Sequence, residues 1–229
     1  MKRFLVINPN SSQKMTDDIR ITIEKLNISQ VHTDVVRMEK APSVLESFED
    51  YTIAGAEVIK YLASGIIAEQ GYHGLLLACF GDPSLYALKE IAGIPVIGIA
   101  EASLSLALLL GFKYSIVAAA SKAKPMMEVM VKGYGLENRM TSVECLDLNI
   151  ETFINDQDLL EDKLTLCGKN AILKGAEVLV LGCAGMTIID QKVAVKLGIP
   201  IIDPIKAGMV ALNGITDAKL AISKLGLYH

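Results

Sequence analysis

Four apolar residues, a cysteine and a glycine turn follow one another in the stretch Leu75-Leu76-Leu77-Ala78-Cys79-Phe80-Gly81-Asp82-Pro83. An apolar run that is bounded by turn residues is typical of a buried strand in a parallel sheet. Asp82 suits the N-cap and Pro83 the first position of a following helix. Cys79 is therefore predicted at the carboxyl end of a central strand, where open α/β sheets bind ligands. A helix start beside it would also favour the thiolate.

The same pattern occurs a second time along the chain. An apolar strand, a cysteine and small residues recur in Glu177-Val178-Leu179-Val180-Leu181-Gly182-Cys183-Ala184-Gly185-Met186. The match continues downstream, because Pro95 follows Cys79 by 16 residues and Pro200 follows Cys183 by 17. A single cysteine after a strand is usually a small buried hydrophobic residue. Two cysteines at matching places in a repeat favour a function instead.

The composition limits the class of protein. The chain has 229 residues, of which 52% are hydrophobic and 21% charged, enough for a core in one large or two small domains. Its net charge of −4, without a basic cluster, gives no footprint for nucleic acid. No apolar run is long enough to span a membrane, and Asn8-Pro9-Asn10 interrupts the N-terminal apolar run too early for a signal peptide. We therefore expect a cytoplasmic protein with its cysteines as thiols.

Alternating strand and helix signals predict an α/β protein made of two similar halves. Both halves follow the order β-α-β-α-β-α-β, which is typical of parallel sheets covered by helices. We place the first half at residues 1–98 plus 206–229 and the second at 99–205. Long helices are predicted at Gln13–Leu26, Glu49–Gln70 and Ile205–Leu225. A pseudo-twofold duplication of this kind predicts an active site in the cleft between the halves, with Cys79 and Cys183 on opposite walls.

Two facing thiols suit the inversion of a carbon centre by proton transfer. One group removes the proton, and the other returns a proton to the opposite face of the carbon. Such groups need pKa values not far from 7. Hydrogen-bond donors or a helix N-terminus can lower the pKa of a cysteine thiol from its ordinary value of about 8.5. Backbone N–H groups at Phe80-Gly81 and Ala184-Gly185 could stabilise the negative charge of the carbanion intermediate.

The chain resembles the Asp/Glu/hydantoin racemase superfamily over essentially its whole length. The segments that carry the resemblance are Ile7–Ser12 with Met15-Thr16, Cys79–Pro83, Pro95–Ile99 with Glu101-Ala102, and Leu181–Met186. The Asn-Pro-Asn opening and the surroundings of the two cysteines are most similar to the hydantoin and allantoin racemase branch.

This resemblance implies a small-molecule substrate and racemisation without a cofactor or a metal, with Cys79 and Cys183 as the acid/base pair. It also implies that the substrate site is lined by Asn8, Asn10, Ser43, Val44, Phe80, Gly81, Ala118, Ala119, Gly182, Ala184 and Gly185. One feature departs from the branch, because Ala118 and Ala119 stand where a pair of threonines is typical. The substrate pocket therefore loses two hydroxyl donors at this point.

Three functions are compatible with these observations. The first is a racemase of a 5-substituted hydantoin or an allantoin-like cyclic ureide. The second is an Asp/Glu racemase or a maleate-type isomerase of the same superfamily, which would need stronger carboxylate recognition. The third is a non-catalytic protein that binds a small ligand, and the presence of both cysteines speaks against it.

The histidines His32, His73 and His229 show no metal-ligand spacing. The apolar helix 101–110 suits a core or a subunit interface, and we expect a homo-oligomer.

Overall fold

The computed structural model describes residues 1–148, 156–186 and 190–228, so His229 lies outside the described residues. Within them the chain forms eight strands and nine α-helices. The strands build two four-stranded sheets in which every pairing is parallel, and helices separate the strands along the chain. The fold class is therefore α/β, as the sequence predicted. No helix in the described ranges has both the length and the apolar character needed to cross a bilayer.

The chain divides into two compact units. The first comprises Met1–Ile99 together with Gly208–His229, and the second comprises Ala100–Ala207. The predicted boundaries, at 98/99 and 205/206, lie one and two residues away from these bounds.

The first unit contains the sheet with strand order β2-β1-β3-β4. Its elements are β1 (Lys2–Asn8), α1 (Gln13–Leu26), β2 (Val31–Arg37), α2 (Phe48–Ala63), α3 (Ile66–Gln70), β3 (Gly74–Leu77), α4 (Leu85–Ile91) and β4 (Val96–Gly98). Strand β3 and residues 4–7 of β1 are apolar and buried, as expected for central parallel strands covered on both faces. Helix α1 has the predicted bounds because Ser12 caps it, its hydroxyl accepting the N–H of Met15 at 3.2 Å.

The rest of the chain repeats this topology. Its elements are α5 (Ile99–Leu110), β5 (Tyr114–Ala118), α6 (Ala123–Gly133), β6 (Met140–Cys145), α7 (Gln157–Leu173), β7 (Val178–Leu181), α8 (Asp190–Leu197), β8 (Ile201–Ile202) and α9 (Pro204–Asp217). The second sheet has the strand order β6-β5-β7-β8. Since this is the order of the first sheet with each strand replaced by its counterpart, the prediction of two similar halves is confirmed.

Two of the predicted helices are wrong in their extent. The predicted helix Glu49–Gln70 is two helices, because Gly65 adopts a left-handed conformation, φ 88°, between α2 and α3. The predicted helix Ile205–Leu225 ends at Asp217, and Lys219 has a φ of 55°. The remaining tail packs on α4: the Lys224 ammonium donates to the carbonyls of Lys89 and Glu90 at 2.8 Å.

Candidate active site

Cys79 lies directly beyond the central strand β3 of the first unit. The Ala78 N–H donates to the Ile7 carbonyl at 2.8 Å, which extends the pairing of β3 with β1 by one residue. Cys79 follows this last bond and is partly exposed. It therefore occupies the carboxyl end of a central strand, where the sequence placed it.

Cys183 has the same position in the second unit. The Gly182 N–H donates to the Val117 carbonyl at 2.8 Å and extends the pairing of β7 with β5 by one residue. Cys183 follows this bond and is also partly exposed. The two cysteines are thus equivalent residues of two sheets that share one strand order.

The surroundings of Cys183 favour its neutral form. Cys183 packs against the apolar core of its unit, and burial raises the pKa of its thiol above the ordinary value. The Gly185 N–H, which donates to Cys183 Sγ at 3.5 Å, opposes this rise without cancelling it. A hydrogen-bond donor can lower the pKa of a cysteine, but at Cys183 the effect of burial is the larger one. The described residues directly after the cysteine form a 3-10 turn, Ala184–Met186.

The turn after Cys79 differs from the predicted helix start. The N–H groups of Gly81 and Asp82 both donate to the Cys79 carbonyl, at 2.9 and 3.1 Å. Asp82 and Ser84 have φ angles of 44° and 59°, in the left-handed region. Helix α4 begins only at Leu85, so the prediction of Asp82 as N-cap and Pro83 as first helical residue is wrong. The physical reason is that the backbone N–H groups fold back onto Cys79 instead of starting a helix.

An aromatic side chain that sequence reasoning did not single out covers this turn. A Cβ atom built on Gly81 would lie 2.3 Å from Cζ and 2.4 Å from the hydroxyl oxygen of Tyr51. The Tyr51 ring in turn packs edge-on against Phe48, with ring centroids 6.5 Å apart. Tyr51 therefore flanks the cysteine turn in the first unit. The one available sequence signal was Gly81 itself, since a glycine next to a strand often marks a close approach.

Asn8 and Asn10 form a buried polar network at the end of β1. Asn8 is 0% and Asn10 4% exposed. Asn8 Nδ2 donates to Asn10 Oδ1 at 2.8 Å and to Thr16 Oγ1 at 3.0 Å. Asn10 Oδ1 also accepts the Ser12 N–H at 2.9 Å, whereas Asn10 Nδ2 contacts Met15 Sδ, a weak acceptor, at 3.1 Å. Asn8 thus fixes the loop, and the Asn10 amide nitrogen donates to a weaker acceptor than the Asn8 amide nitrogen does.

Ser43 and Val44 lie exposed in the loop between β2 and α2. This loop is tied to the Asn-Pro-Asn segment, because the Ser11 N–H donates to the Pro42 carbonyl at 3.1 Å. The predicted site residues of the first unit are therefore carried by connected loops.

Ala118 and Ala119 lie at the end of β5, the counterpart of β1. The Ala118 carbonyl accepts the Leu146 N–H at 3.0 Å, just as the Asn8 carbonyl accepts the first N–H beyond β2 at 3.2 Å. Ala118 is fully buried. Ala119 is partly exposed and packs on the same apolar core as Cys183. Of the two alanines, Ala119 is therefore the one whose side chain has access to a ligand.

The other predicted residues accompany the cysteines. Phe80, Gly182 and Ala184 are buried, while Gly81 and Gly185 are partly exposed. In each unit the predicted residues thus lie at the carboxyl ends of the two central strands or in the loops that follow, except for Ser43 and Val44, which lie in the loop after the edge strand β2. Among the described residues, no three His, Cys, Asp or Glu side chains come together as a possible metal-ligand set.

Comparisons with known proteins agree with the sequence motifs. A family model described as Asp/Glu/Hydantoin racemase matches residues 4–212. A hydantoin racemase from Pseudomonas sp. (strain NS671) is 33% identical over 224 residues, covering 97% of this chain and 89% of that protein. A hydantoin racemase from Paenarthrobacter aurescens is 30% identical over 228 residues, covering 99% and 96%. The solved structure of an allantoin racemase from Klebsiella pneumoniae is similar with a TM-score of 0.92 at 30% identity, covering 100% of this chain and 93% of that one.

Proposed function

Because the chain belongs to the Asp/Glu/hydantoin racemase family and is thus an isomerase, we propose that it racemises a 5-substituted hydantoin or a related cyclic ureide. The family resemblance predicted from the cysteine motifs is confirmed. The finer proposal is a cofactor-independent reaction with Cys79 and Cys183 as the two acid/base groups. The observation that supports it most is the equivalence of the two cysteines at the ends of β3 and β7.

The proposed reaction exchanges a proton at carbon 5 of the ring. One cysteine, as the thiolate, removes this proton, and the electron pair of the C–H bond moves into an enolate with its charge on the adjacent carbonyl oxygen. The other cysteine, as the thiol, donates its proton to the opposite face of carbon 5, and the carbonyl re-forms. After one turnover the two cysteines have exchanged protonation states, so the enzyme can process the other enantiomer.

The electrostatics of the second unit suggest how the two roles are distributed at rest. Burial raises the pKa of the Cys183 thiol, so at neutral pH Cys183 holds its proton and is ready to act as the acid. In the direction in which Cys183 is the acid, the proposed mechanism makes Cys79 the base. The Gly185 N–H that reaches Cys183 Sγ would stabilise the thiolate that Cys183 becomes after it donates.

The substrate class is proposed from the alanines and from the named relatives. The relatives act on hydantoins or allantoin, according to their names. In this chain the partly exposed Ala119 offers a methyl group where a hydroxyl is typical. A missing donor to a charged group costs about 1.5–3 kcal/mol, so this pocket suits an uncharged ring with an apolar substituent better than an amino acid carboxylate. Ala119→Thr should shift preference toward polar substituents, whereas a hydroxyl at the buried Ala118 should mainly reduce stability.

The proposal is tested by proton NMR in D2O on 5-substituted hydantoins, free aspartate and free glutamate, with enzyme-free exchange subtracted. We expect enzyme-dependent deuterium uptake at carbon 5 together with loss of optical rotation. Cys79→Ser and Cys183→Ser should each slow racemisation by about 10²–10⁴-fold, the usual contribution of a general acid or base. Each variant should still exchange the proton of one enantiomer, and the two variants should prefer opposite enantiomers.

Cys145→Ser is the matched control. Cys145 is also partly exposed, but it lies at the end of the edge strand β6 and not in either of the two matching cysteine segments. It should keep most of the activity. Racemisation at the wild-type rate by the Cys79→Ser/Cys183→Ser double variant would refute the two-thiol mechanism. Efficient racemisation of aspartate or glutamate without turnover of any hydantoin would refute the proposed substrate class.

A further inference from the structure

A buried carboxylate lies at the end of β8, the strand next to the one that leads to Cys183. Asp203 directly follows β8 and is 2% exposed. Its Oδ1 accepts the N–H groups of Ile205 at 2.9 Å and Lys206 at 3.1 Å, in the first turn of α9. The carboxylate therefore caps the helix that leaves this edge of the second sheet.

The first sheet has no side chain at the matching position. Gly98 ends β4 and stands three residues after Pro95, just as Asp203 stands three residues after Pro200. A Cβ atom built on Gly98 would lie 2.3 Å from Cγ and 2.3 Å from Oδ1 of Asp82. The carboxyl group of Asp82, which is 6% exposed, thus occupies the space that a side chain at position 98 would take.

The turn after Cys79, which carries Asp82, contains two residues with a left-handed backbone conformation. Asp82 has a φ of 44° and Ser84 a φ of 59°. Left-handed conformations of residues other than glycine are uncommon, and they persist where surrounding contacts determine them. The Asp82 N–H is bonded to the Cys79 carbonyl at 3.1 Å, and Gly98 pairs with Leu77 of the strand that leads to Cys79. One residue thus joins the cysteine turn to the neighbouring strand end.

We propose that Asp82 is a positioning residue for Cys79: its carboxylate replaces the side chain that Gly98 lacks and anchors the turn that carries the cysteine. In the second unit the corresponding carboxylate belongs to Asp203 at the strand end itself, and the described residues after Cys183, 184–186, include no carboxylate. The catalytic consequence rests on the proposed role of Cys79, whereas the anchoring itself can be measured without turnover.

The test moves the carboxylate from the turn to the strand end. The variants are Asp82→Ala, Gly98→Asp, and the double variant Asp82→Ala/Gly98→Asp, which places the group where the second unit has it. Gly98 does not need a glycine-only backbone conformation, so its backbone accepts aspartate once the Asp82 carboxyl group has been removed. Two readouts are followed: kcat and KM for the racemised hydantoin, and the rate of iodoacetamide alkylation of each cysteine, resolved by peptide mass spectrometry.

Asp82→Ala should lower kcat, by up to about 100-fold for a displacement near 1 Å, with a smaller change in KM. It should also raise the alkylation rate of Cys79 severalfold and leave that of Cys183 unchanged. Gly98→Asp should lower kcat in the wild-type background and raise kcat in the Asp82→Ala background. Asp203→Ala is the matched control, and it should leave Cys79 alkylation unchanged.

The outcomes separate this inference from the proposed function. If no hydantoin is turned over but Cys79 alkylation follows the expected pattern, the function fails and the anchoring stands. If Asp82→Ala matches the wild type in kcat and Cys79 alkylation, or the double variant is no better than Asp82→Ala, the inference is overturned. If Asp82→Ala does not fold, the test is the urea concentration at which the other two variants unfold. The double variant should unfold at a higher urea concentration than the Gly98→Asp single variant, and the opposite order overturns the inference.

Discussion

Replacing Gly81 by alanine adds one methyl group to the turn after Cys79, and the structure leaves no room for it. The added Cβ would lie 2.3–2.4 Å from three atoms of the Tyr51 phenol. Carbon atoms in contact are ordinarily about 3.5–4.0 Å apart, so the ring or the turn must move by more than about 1 Å. Gly81 does not have a left-handed φ, so the cost of the substitution is steric. Overpacking of this kind lowers the free energy of unfolding by about 1–3 kcal/mol.

A double-mutant cycle measures this contact by urea unfolding. Gly81→Ala should lower the free energy of unfolding by about 1–3 kcal/mol. Gly81→Ala/Tyr51→Ala should be no less stable than Tyr51→Ala alone, within about 0.5 kcal/mol, which gives a coupling energy of about 1–3 kcal/mol. Because the Gly81 N–H donates to the Cys79 carbonyl at 2.9 Å, kcat of the single variant should fall as well. Removal of the Tyr51 ring should restore part of it.

Gly214→Ala provides the control, because nothing lies within 4 Å of a Cβ at this position inside α9. It should leave stability unchanged or raise it by about 0.5–1 kcal/mol, as helix propensity dictates. If Gly81→Ala is as stable as the wild type, or if the cycle is additive, the reasoning about the turn and Tyr51 is wrong.

Two further predictions concern buried polar groups. Burial raises the pKa of Cys167 to about 11, so the contribution of this thiol to the unfolding free energy should be constant at neutral pH and fall by roughly 2–3 kcal/mol as pH rises from the ordinary thiol value toward 11. Cys167→Ala should make this slope shallower in urea unfolding series, and an unchanged slope would contradict the assignment. Asn8→Ala removes the amide that donates to Asn10 and Thr16, and it should lower the unfolding free energy by about 1–3 kcal/mol. The exposed Gln13→Ala should stay within about 0.5 kcal/mol, and equal effects of the two substitutions would contradict the network.

The features that the sequence predicted correctly are those with local causes. The apolar runs before Cys79 and Cys183 specify buried parallel strands, and a residue that follows such a strand must lie at its carboxyl end. The bounds of α1 follow from the cap at Ser12 and from an amphipathic pattern. The repeat of these signals was enough to predict two similar sheets, because strand order follows from the duplication.

The features that the sequence did not predict depend on contacts between distant segments. Asp82 and Pro83 are good helix-start residues, but the N–H groups of Gly81 and Asp82 fold back onto Cys79 and the helix begins at Leu85. The Asp82 carboxyl group lies over Gly98, 16 residues further along the chain. The sequence around Tyr51 indicates an ordinary residue of an amphipathic helix, whereas in the structure its ring lies over Gly81. Gly81 marked one of these two positions, but the partner of neither contact could be predicted from local sequence, and both contacts lie at the turn after Cys79.

The two cysteines to which we assign the acid/base roles are equivalent in topology but differ in their surroundings. Beside Cys79, the end of β1 carries the amide network of Asn8; beside Cys183, the end of β5 carries Ala118 and an apolar core. The enantiomers of a substrate have equal free energy in solution, so kcat/KM must be the same in both directions. An asymmetric pair of acid/base environments can therefore change only how that ratio is divided between kcat and KM. The enantiomer with the lower KM must have a proportionally lower kcat, so under the proposed mechanism unequal surroundings of the two cysteines change the steady-state occupancy of the enzyme without biasing the equilibrium.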